Sequence, residues 1–479
     1  MQTNKIGIWV KNNLFSLCCC AGLVLWWGAC KLFTPTVPIM VNEYAPVYLP
    51  AVCTISLVLI AIPVLLLVCS REFRQWRWTD QIVLLGIALM LGALIHRPRV
   101  YLDVQIVFFL CTVIAFVFDR PLCWHRPPLF YYAFWLYFIW QTITISWTSN
   151  TSEAMVYFNR LVPLVSYSLA FLLIRIEERQ YRLLVLMLWR VVCIGCLLTL
   201  GSGIYEALRM GVDLSTFTHF GKFYINQYTV YDLIFAWSGA THPTYNALWI
   251  IGGLVCSFYL MDKKYITSFE AAFSWLLVFA TIYVSQSRVG LVLWCMVCAV
   301  GTLYLLRHHR RWLWTALGVM ATAIIMIGIT QIDTIRAFSA DPNRDKLMSV
   351  TLDYLRADPW KGCGLGGMTF DYISSVVGYE FKSWWPQYDY IGMYPHNQFL
   401  GDWMQSGIVG LVLICVVMLT LLYESYRQRS FLAFVYCIAV FIVMQIEMPL
   451  HILSGSSIIA FMMCFFLCHR APSERYSDK

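Results

Sequence analysis

One histidine in this chain of 479 residues stands where chemistry at a membrane surface is possible. His396 lies in Y-P-H-N-Q-F-L-G-D-W-M-Q-S-G-I-V-G, a stretch that closes a long polar segment and opens an apolar one. An imidazole at such a boundary can act as a general base toward a substrate hydroxyl. It can also merely cap a helix or meet water, and its spacing alone leaves both interpretations open.

The surrounding residues predict a helix with this histidine in its first turn. Pro395 suits the start of a helix, and the apolar pattern continues to about Leu422. Because such a helix exceeds the bilayer, its first turns should stand above the hydrocarbon, and its positive end would favour the neutral ring that a base needs. Gly407 follows His396 by about three turns and Gly410 lies close to the same stripe, so the two predict a glycine stripe that another helix could approach closely.

Several basic residues could bind an anion near this histidine. Arg288 lies in S-Q-S-R-V-G, a short hydroxyl-rich turn that would hold a guanidinium in the fixed geometry suited to phosphate. The same side chain could instead extend to lipid headgroups. Arg160 precedes one apolar segment and Arg190 lies within another, where a charge is costly and indicates a function unless it is paired structurally.

The composition identifies an integral membrane protein. The chain is 60% apolar and 13% charged, whereas soluble proteins are near half apolar and a quarter charged. We assign the net charge of +8 mainly to membrane topology, so no nucleic acid partner is expected. Most of the 18 cysteines lie in apolar runs as packing residues, and neither a metal site nor another cofactor site is indicated.

Apolar segments of membrane-spanning length recur along the chain. They predict an all-α polytopic membrane protein with about 12–14 transmembrane helices, forming one domain over residues 1–479. The predicted spans are 14–33, 48–69, 81–95, 102–118, 129–147, 161–174, 183–204, 244–261, 268–285, 291–306, 312–330, 407–422, 431–446 and 450–468. The first could be a signal peptide, but its apolar run is longer than a signal needs.

Positive charges in the short loops orient the chain with both termini in the cytoplasm, the hairpin after the third predicted span being the exception. Two long loops then face the outside. Residues 205–243 carry Lys222 and His242, and residues 331–406 lead to His396. Both loops are rich in aromatic residues, so we expect them to be functional rather than disordered.

The second loop contains three recognisable segments. D-K-L-M-S-V-T-L-D-Y-L-R-A-D-P predicts an amphipathic helix on the membrane surface that ends before Pro359. The following G-C-G-L-G-G lacks the strand and the lysine of a phosphate loop, so it predicts a flexible turn. The aromatic residues of F-K-S-W-W-P-Q-Y-D-Y-I-G-M-Y, which ends at Tyr394, could form an interfacial belt or stacking faces for sugar rings.

Together these segments resemble the bacterial O-antigen ligase and O-antigen polymerase superfamily. The resemblance is carried by H-N-x9-G-x2-G from His396 to Gly410, by the turn around Arg288, by R-D-K-L-M-S-V-T-L-D-Y-L-R-A-D-P-W-K-G-C-G-L-G at 344–366, and by T-H-P-T-Y-N-A at 241–247. It covers about the C-terminal half of the chain. The first 150 residues match only in being hydrophobic, and ligases of the family usually have twelve spans.

The resemblance implies an enzyme that moves a glycan from a polyprenyl diphosphate to an acceptor hydroxyl, with neither a nucleotide sugar nor a metal. His396 would be the general base, and Arg288 would bind the diphosphate and offset the charge that grows on the leaving group. The other candidates for binding the diphosphate or the glycan are Arg160, Arg344, Lys222, His242, Asn397, Tyr394 and Arg190. One displacement without an enzyme nucleophile implies inversion at the anomeric carbon.

The acceptor separates the possible functions. We expect lipid A core as the acceptor, at the periplasmic face of the bacterial inner membrane and among membrane lipids. The alternatives are a second lipid-linked repeat, as in polymerisation, or a serine or threonine of a protein. A flippase or transporter is a different class of protein. It is disfavoured because the ionisable groups concentrate at the outer surface rather than along a path through the spans.

Overall fold

The computed structural model describes residues 73–95, 98–119, 127–210, 243–309, 342–367 and 394–468, with scattered further positions at 61–70 and 311–322. Every regular element in this part of the chain is helical, which confirms the predicted all-α class. The predicted spans 14–33, 48–69 and 312–330 lie wholly or mostly outside it.

The described helices are numbered here in chain order. The α-helices are α1 (Trp78–Ala93), α2 (Pro98–Asp119), α3 (Leu129–Thr144), α4 (Thr151–Leu172), α5 (Glu178–Met210), α6 (Pro243–Asp262), α7 (Ser268–Val284), α8 (Arg288–Leu306), α9 (Pro342–Ala357), α10 (Gln398–Arg427), α11 (Phe431–Met444) and α12 (Leu453–Leu467). The 3-10 helices are η1 (Phe73–Gln75), η2 (Ile145–Trp147) and η3 (Pro449–His451).

Six of the described helices are long and apolar enough to cross a membrane: α2, α4, α5, α6, α8 and α10. The shorter apolar helices α1, α7, α11 and α12 pack among them. α6 is the central helix, with 16 of its 20 residues buried, and it contacts α5, α7, α8, α11 and α12. These helices make the chain a multi-pass membrane protein, whereas the count of 12–14 spans stays a prediction.

Helix starts follow local capping signals. Thr267 and Glu270 form a capping box at the start of α7. Four other helices begin after a residue whose side-chain oxygen accepts a hydrogen bond from the N–H three residues later: Asn150, Ser287, Asn397 and Ser430. The cap at Asn150 starts α4 ten residues before the predicted span 161–174. Arg160 therefore lies inside a helix and not, as the sequence suggested, before one.

α10 bends near its start, which the sequence did not predict. Ser406 (φ −120°, ψ 15°) and Gly407 (φ 68°, ψ −168°) interrupt its helical backbone. A straight helix of its 30 residues would be about 45 Å long, while the neighbouring α11 has 14 residues, about 21 Å. Asn397 nevertheless donates a hydrogen bond to the Gln445 carbonyl just after α11, at 3.0 Å. The bend folds the first turns of α10 back toward the end of α11.

The first turns of α10 are consequently buried rather than standing above the hydrocarbon. Asp402 and Met404 are fully covered, with α3 and α9 among the helices that contact α10. The apolar face of α9 packs here, with Leu347, Val350 and Leu355 clustering around Met404. The amphipathic helix is thus confirmed, but its apolar face meets α10 where the sequence predicted the membrane surface.

A glycine-rich turn after α9 fills the bend in α10. The N–H groups of Cys363 and Gly364 donate to the carbonyls of Met404 and Gln405, at 3.0 and 2.8 Å, which the interrupted helix leaves without helical partners. The N–H of Gly366 donates to the Gln405 side chain. Because these amides are used internally, the turn is packed rather than flexible, and it is not a phosphate loop.

The predicted glycine stripe is therefore wrong. Gly407 faces the backbone of this turn at Trp360 and Lys361, and Gly410 faces Ser406 of its own helix.

Candidate functional site

His396 lies immediately before α10 and not within its first turn. Asn397 is the N-cap, and its side chain accepts a hydrogen bond from the N–H of Leu400 at 3.0 Å. His396 itself has a left-handed backbone with φ 48°, a conformation uncommon for residues other than glycine. The expectation that Pro395 starts the helix is corrected by this cap. The turn before α10 directs the imidazole toward the segment that joins α11 to α12.

A buried carboxylate orients the imidazole. Nδ1 of His396 lies 3.1 Å from Oε2 of Glu447, whose side chain is 1% exposed, whereas that of His396 is 26% exposed. When Nδ1 donates its proton to this carboxylate, the lone pair is on Nε2. A carboxylate so placed also stabilises the imidazolium that forms when Nε2 accepts a proton. With this contact in place, the half-buried ring has the chemistry to accept a proton at Nε2.

Arg344 binds the other oxygen of this carboxylate. Its Nη2 lies 3.1 Å from Oε1 of Glu447, and its Nη1 donates to the Ile446 carbonyl at 2.9 Å. α9 delivers this guanidinium, because its apolar face is fixed on α10. One carboxylate therefore joins the histidine and the arginine, two residues that the sequence had already selected as candidates.

We expect Arg344→Ala to lower the turnover number of a reaction that uses His396 as its base by about tenfold or more, because it leaves buried Glu447 with an unbalanced charge. Arg344→Lys should recover only part of it, since one ammonium cannot reproduce a two-pronged contact. The matched control is Arg356→Ala on the same helix, whose ion pair with Asp353 is exposed and should matter little. Equal turnover by the Arg344 and Arg356 variants would contradict this role.

Tyr394 and Asn397 flank the histidine. The rings of Tyr394 and His396 lie 4.3 Å apart between centroids, and Tyr394 also lies beside Tyr245 of α6. Asn397 uses its amide oxygen as the helix cap and its amide nitrogen on Gln445. Tyr394 thus offers an aromatic face at the site, whereas Asn397 holds the backbone around it.

Of the other predicted binding residues, Arg160 contacts the turn between α11 and α12, Arg288 and Arg190 lie on other helices, and the rest are outside the described residues. Arg160 donates to the His451 carbonyl at 3.1 Å and stacks on Tyr157. Arg288 opens α8, and Gly290 two residues later packs against Ala247 of α6, near the start of that helix. Arg190 lies halfway along the apolar part of α5, Glu178–Gly201. Lys222 and His242, and the aromatic segment before Tyr394, lie outside the described residues.

The site is recessed between helices. α11 and α12 have 14 and 15 residues, about 21 and 22 Å, and both are shorter than the hydrocarbon core of about 30 Å. Arg160, whose guanidinium reaches the turn between them, lies nine residues into α4. The Glu447 carboxylate is consequently placed where water is scarce, which strengthens its interaction with a charged partner.

Sequence reasoning missed Glu447, His451 and Asp402. His451 Nε2 lies 2.8 Å from Asp402 Oδ1, and both side chains are buried. The available signal was an acidic residue and a histidine in I-E-M-P-L-H, a short polar break between two apolar segments, where charge is costly. Within the part of the chain that the structure describes, no group of three or more His, Cys, Asp or Glu could hold a metal ion.

A comparison with protein families supports the predicted resemblance. A family model described as O-antigen ligase matches residues 272–415, which include Arg288, Arg344 and His396 but neither Arg160 nor Glu447. No curated protein matches the chain. Over residues 272–415, the chain is therefore similar to the O-antigen ligase family.

Proposed function

We propose that this protein transfers a glycan from a polyprenyl diphosphate to lipid A core at the periplasmic face of the bacterial inner membrane. The match to the O-antigen ligase family supports a ligase or polymerase type of glycan transfer with lipid-linked substrates. The observation that carries the proposal is the contact of His396 Nδ1 with buried Glu447 at 3.1 Å. It turns a half-buried histidine into an oriented base.

His396 acts on the acceptor. Its Nε2 takes the proton of the acceptor hydroxyl while that oxygen forms a bond to the anomeric carbon of the donor sugar. The imidazolium that results is stabilised by Glu447. Because no enzyme nucleophile intervenes, the single displacement inverts the configuration at the anomeric carbon.

Basic residues act on the donor. As the new bond forms, the bond between the anomeric carbon and the phosphate oxygen breaks, and its electron pair stays on the diphosphate. Arg288 binds that diphosphate and offsets its growing charge. Arg344 is already engaged with Glu447, but a guanidinium has five N–H donors and can also face a phosphate. Arg160 is a further basic group near the same turn.

The charge distribution supports the periplasmic orientation. Several helices meet at the end of the bundle opposite His396. There Arg307, after α8, pairs with Asp262 at the end of α6, and Ser430, before α11, donates to the Phe466 carbonyl near the end of α12. Short segments at that same end carry many basic residues: Arg175, Arg179, Lys263, Lys264, Arg307, Arg427 and Arg429. Basic residues in short loops favour the cytoplasmic side, which leaves His396 facing the periplasm.

The test is transfer by purified protein in detergent, with a radiolabelled glycan on undecaprenyl diphosphate as the donor. Lipid A core, an unlabelled lipid-linked repeat and a serine-rich protein serve as separate acceptors. We expect label on lipid A core, an inverted anomeric centre in the product by NMR, and no loss of rate in EDTA. Label on the repeat or on the protein would instead make the enzyme a polymerase or a protein glycosyltransferase. When the same protein is reconstituted into vesicles, movement of the intact donor across the bilayer without a new bond would indicate transport.

A further inference from the structure

A second pair of ionisable residues lies beneath the site and has no role in the reaction just described. Four donors converge on the side chain of Asp402. Oδ1 accepts from Tyr137 Oη at 2.8 Å, from His451 Nε2 at 2.8 Å and from Gln141 Nε2 at 3.3 Å, and Oδ2 accepts from Gln398 Nε2 at 3.0 Å. We call Asp402 and His451 the buried pair.

The buried pair belongs to a set of contacts that fasten the Glu447 turn, residues 445–452, to the first turns of α10. Asn397 donates to the Gln445 carbonyl, and the Leu450 N–H donates to Gln398 Oε1, each at 3.0 Å. The His451 side chain reaches Asp402, and Gln398 binds both the turn and Asp402. Glu447 lies between these attachment points, so its position relative to His396 follows from them.

Stability alone does not explain the pair. Burying a carboxylate and an imidazole carries a desolvation cost, and apolar residues of similar size often fold equally well or better in such places. Unlike an apolar pair, the hydrogen bonds of Asp402 and His451 fix the register between the Glu447 turn and the first turns of α10. That register sets the distance between the Glu447 carboxylate and the ring of His396.

We propose that Asp402 and His451 are positioning residues for glycan transfer, which hold the Glu447 carboxylate against Nδ1 of His396. This inference rests on the role proposed above for His396. The pair itself touches no substrate. It acts through Glu447, so disturbing it should alter the environment of the His396 ring even when the protein stays folded.

The first test needs no substrate. The ring nitrogens of the nine histidines are labelled with 15N, and the His396 signals are assigned by their loss in His396→Ala. We expect Asp402→Asn to move the Nδ1 signal of His396, and Glu447→Gln to move it in the same way. The matched control is Glu424→Gln, which removes a buried carboxylate at the other end of α10 and should leave the signal in place.

A conservative exchange separates positioning from general damage. A glutamine at position 451 can place its amide nitrogen near where Nε2 of His451 lies, whereas a shorter asparagine cannot reach Asp402. His451→Gln should therefore keep the wild-type His396 signal, and His451→Asn should move it. If Asp402→Asn does not fold, Tyr137→Phe removes one donor from the same carboxylate with no change in charge.

The second test is kinetic and uses the undecaprenyl diphosphate glycan with lipid A core. Asp402→Asn should lower kcat by about ten- to a hundredfold with KM nearly unchanged. In a protein that already carries Glu447→Gln, adding Asp402→Asn should lower kcat little further, because both changes act through the contact between Glu447 and His396. Unmoved His396 signals in folded Asp402→Asn and His451→Asn would overturn the inference. Normal transfer by His396→Ala would instead overturn the proposed function while leaving the resonance result intact.

Discussion

Replacing His396 with alanine is expected to lower kcat for glycan transfer by about a hundred- to ten-thousandfold, the range that general bases contribute. The loss should appear in kcat with little change in KM, because the ring takes a proton only as the new bond forms. The basic residues that we propose to bind the diphosphate are unchanged in this variant, so it should still retain the lipid-linked donor.

The measurement is steady-state transfer of labelled glycan by purified wild-type and variant proteins at equal folded concentration. His309→Ala is the matched control, because that histidine is exposed and lies just after α8, at the end away from the site. We expect this control to transfer at the wild-type rate. Retention of full turnover by His396→Ala would remove the histidine from the reaction and with it the proposed mechanism.

Gly407→Ala is expected to prevent the protein from reaching its folded state or to lower its stability severely. The backbone angles of Gly407, φ 68° and ψ −168°, lie in a region that is essentially restricted to glycine and costs other residues about 1–3 kcal/mol. A Cβ there would also overlap the carbonyl oxygen of Trp360. The glycine-rich turn would then have to leave the bend, exposing the carbonyls that it satisfies.

Thermal unfolding in detergent and monodispersity on gel filtration measure this effect. Gly201→Ala is the control, since Gly201 is in α5 and an added Cβ meets nothing there within 4 Å. That change should be neutral or slightly stabilising, because alanine has the higher helix propensity. If Gly407→Ala matched Gly201→Ala in unfolding temperature, the bend would not be a structural requirement of α10.

Much of the helical framework could be predicted because it depends on short-range properties. A run of apolar residues of bilayer length predicts a helix wherever it occurs. α6 and α8 follow their predicted spans closely, and α5 contains its predicted span and extends beyond both ends of it. The amphipathic period of α9 likewise predicted one apolar face, and Leu347, Val350 and Leu355 are buried on it. The nature of the surface that would cover them, the membrane or another helix, is not encoded in that period.

The centre of the site could be predicted only in part. His396 and Arg344 were selected from motifs, but the contact between them runs through Glu447, which lies 51 residues after the histidine. Such a contact depends on how two helix ends meet, and here it also depends on the bend at Gly407. The spacing of the glycines predicted a straight helix, whereas α10 bends at Gly407. Periodicity could not reveal the bend, because it does not show where backbone angles depart from helical values.

The contact between His396 and Glu447 also determines which part of this protein could be exchanged with the corresponding part of a related protein. The region that resembles O-antigen ligases ends at residue 415, whereas the acid that orients the base comes from the turn between the last two described helices. A chimera that exchanged only the recognisable region would separate the base from its partner and combine segments that had not been selected together. An exchange that keeps the histidine with its acidic partner must therefore include Glu447, which lies beyond the boundary set by similarity.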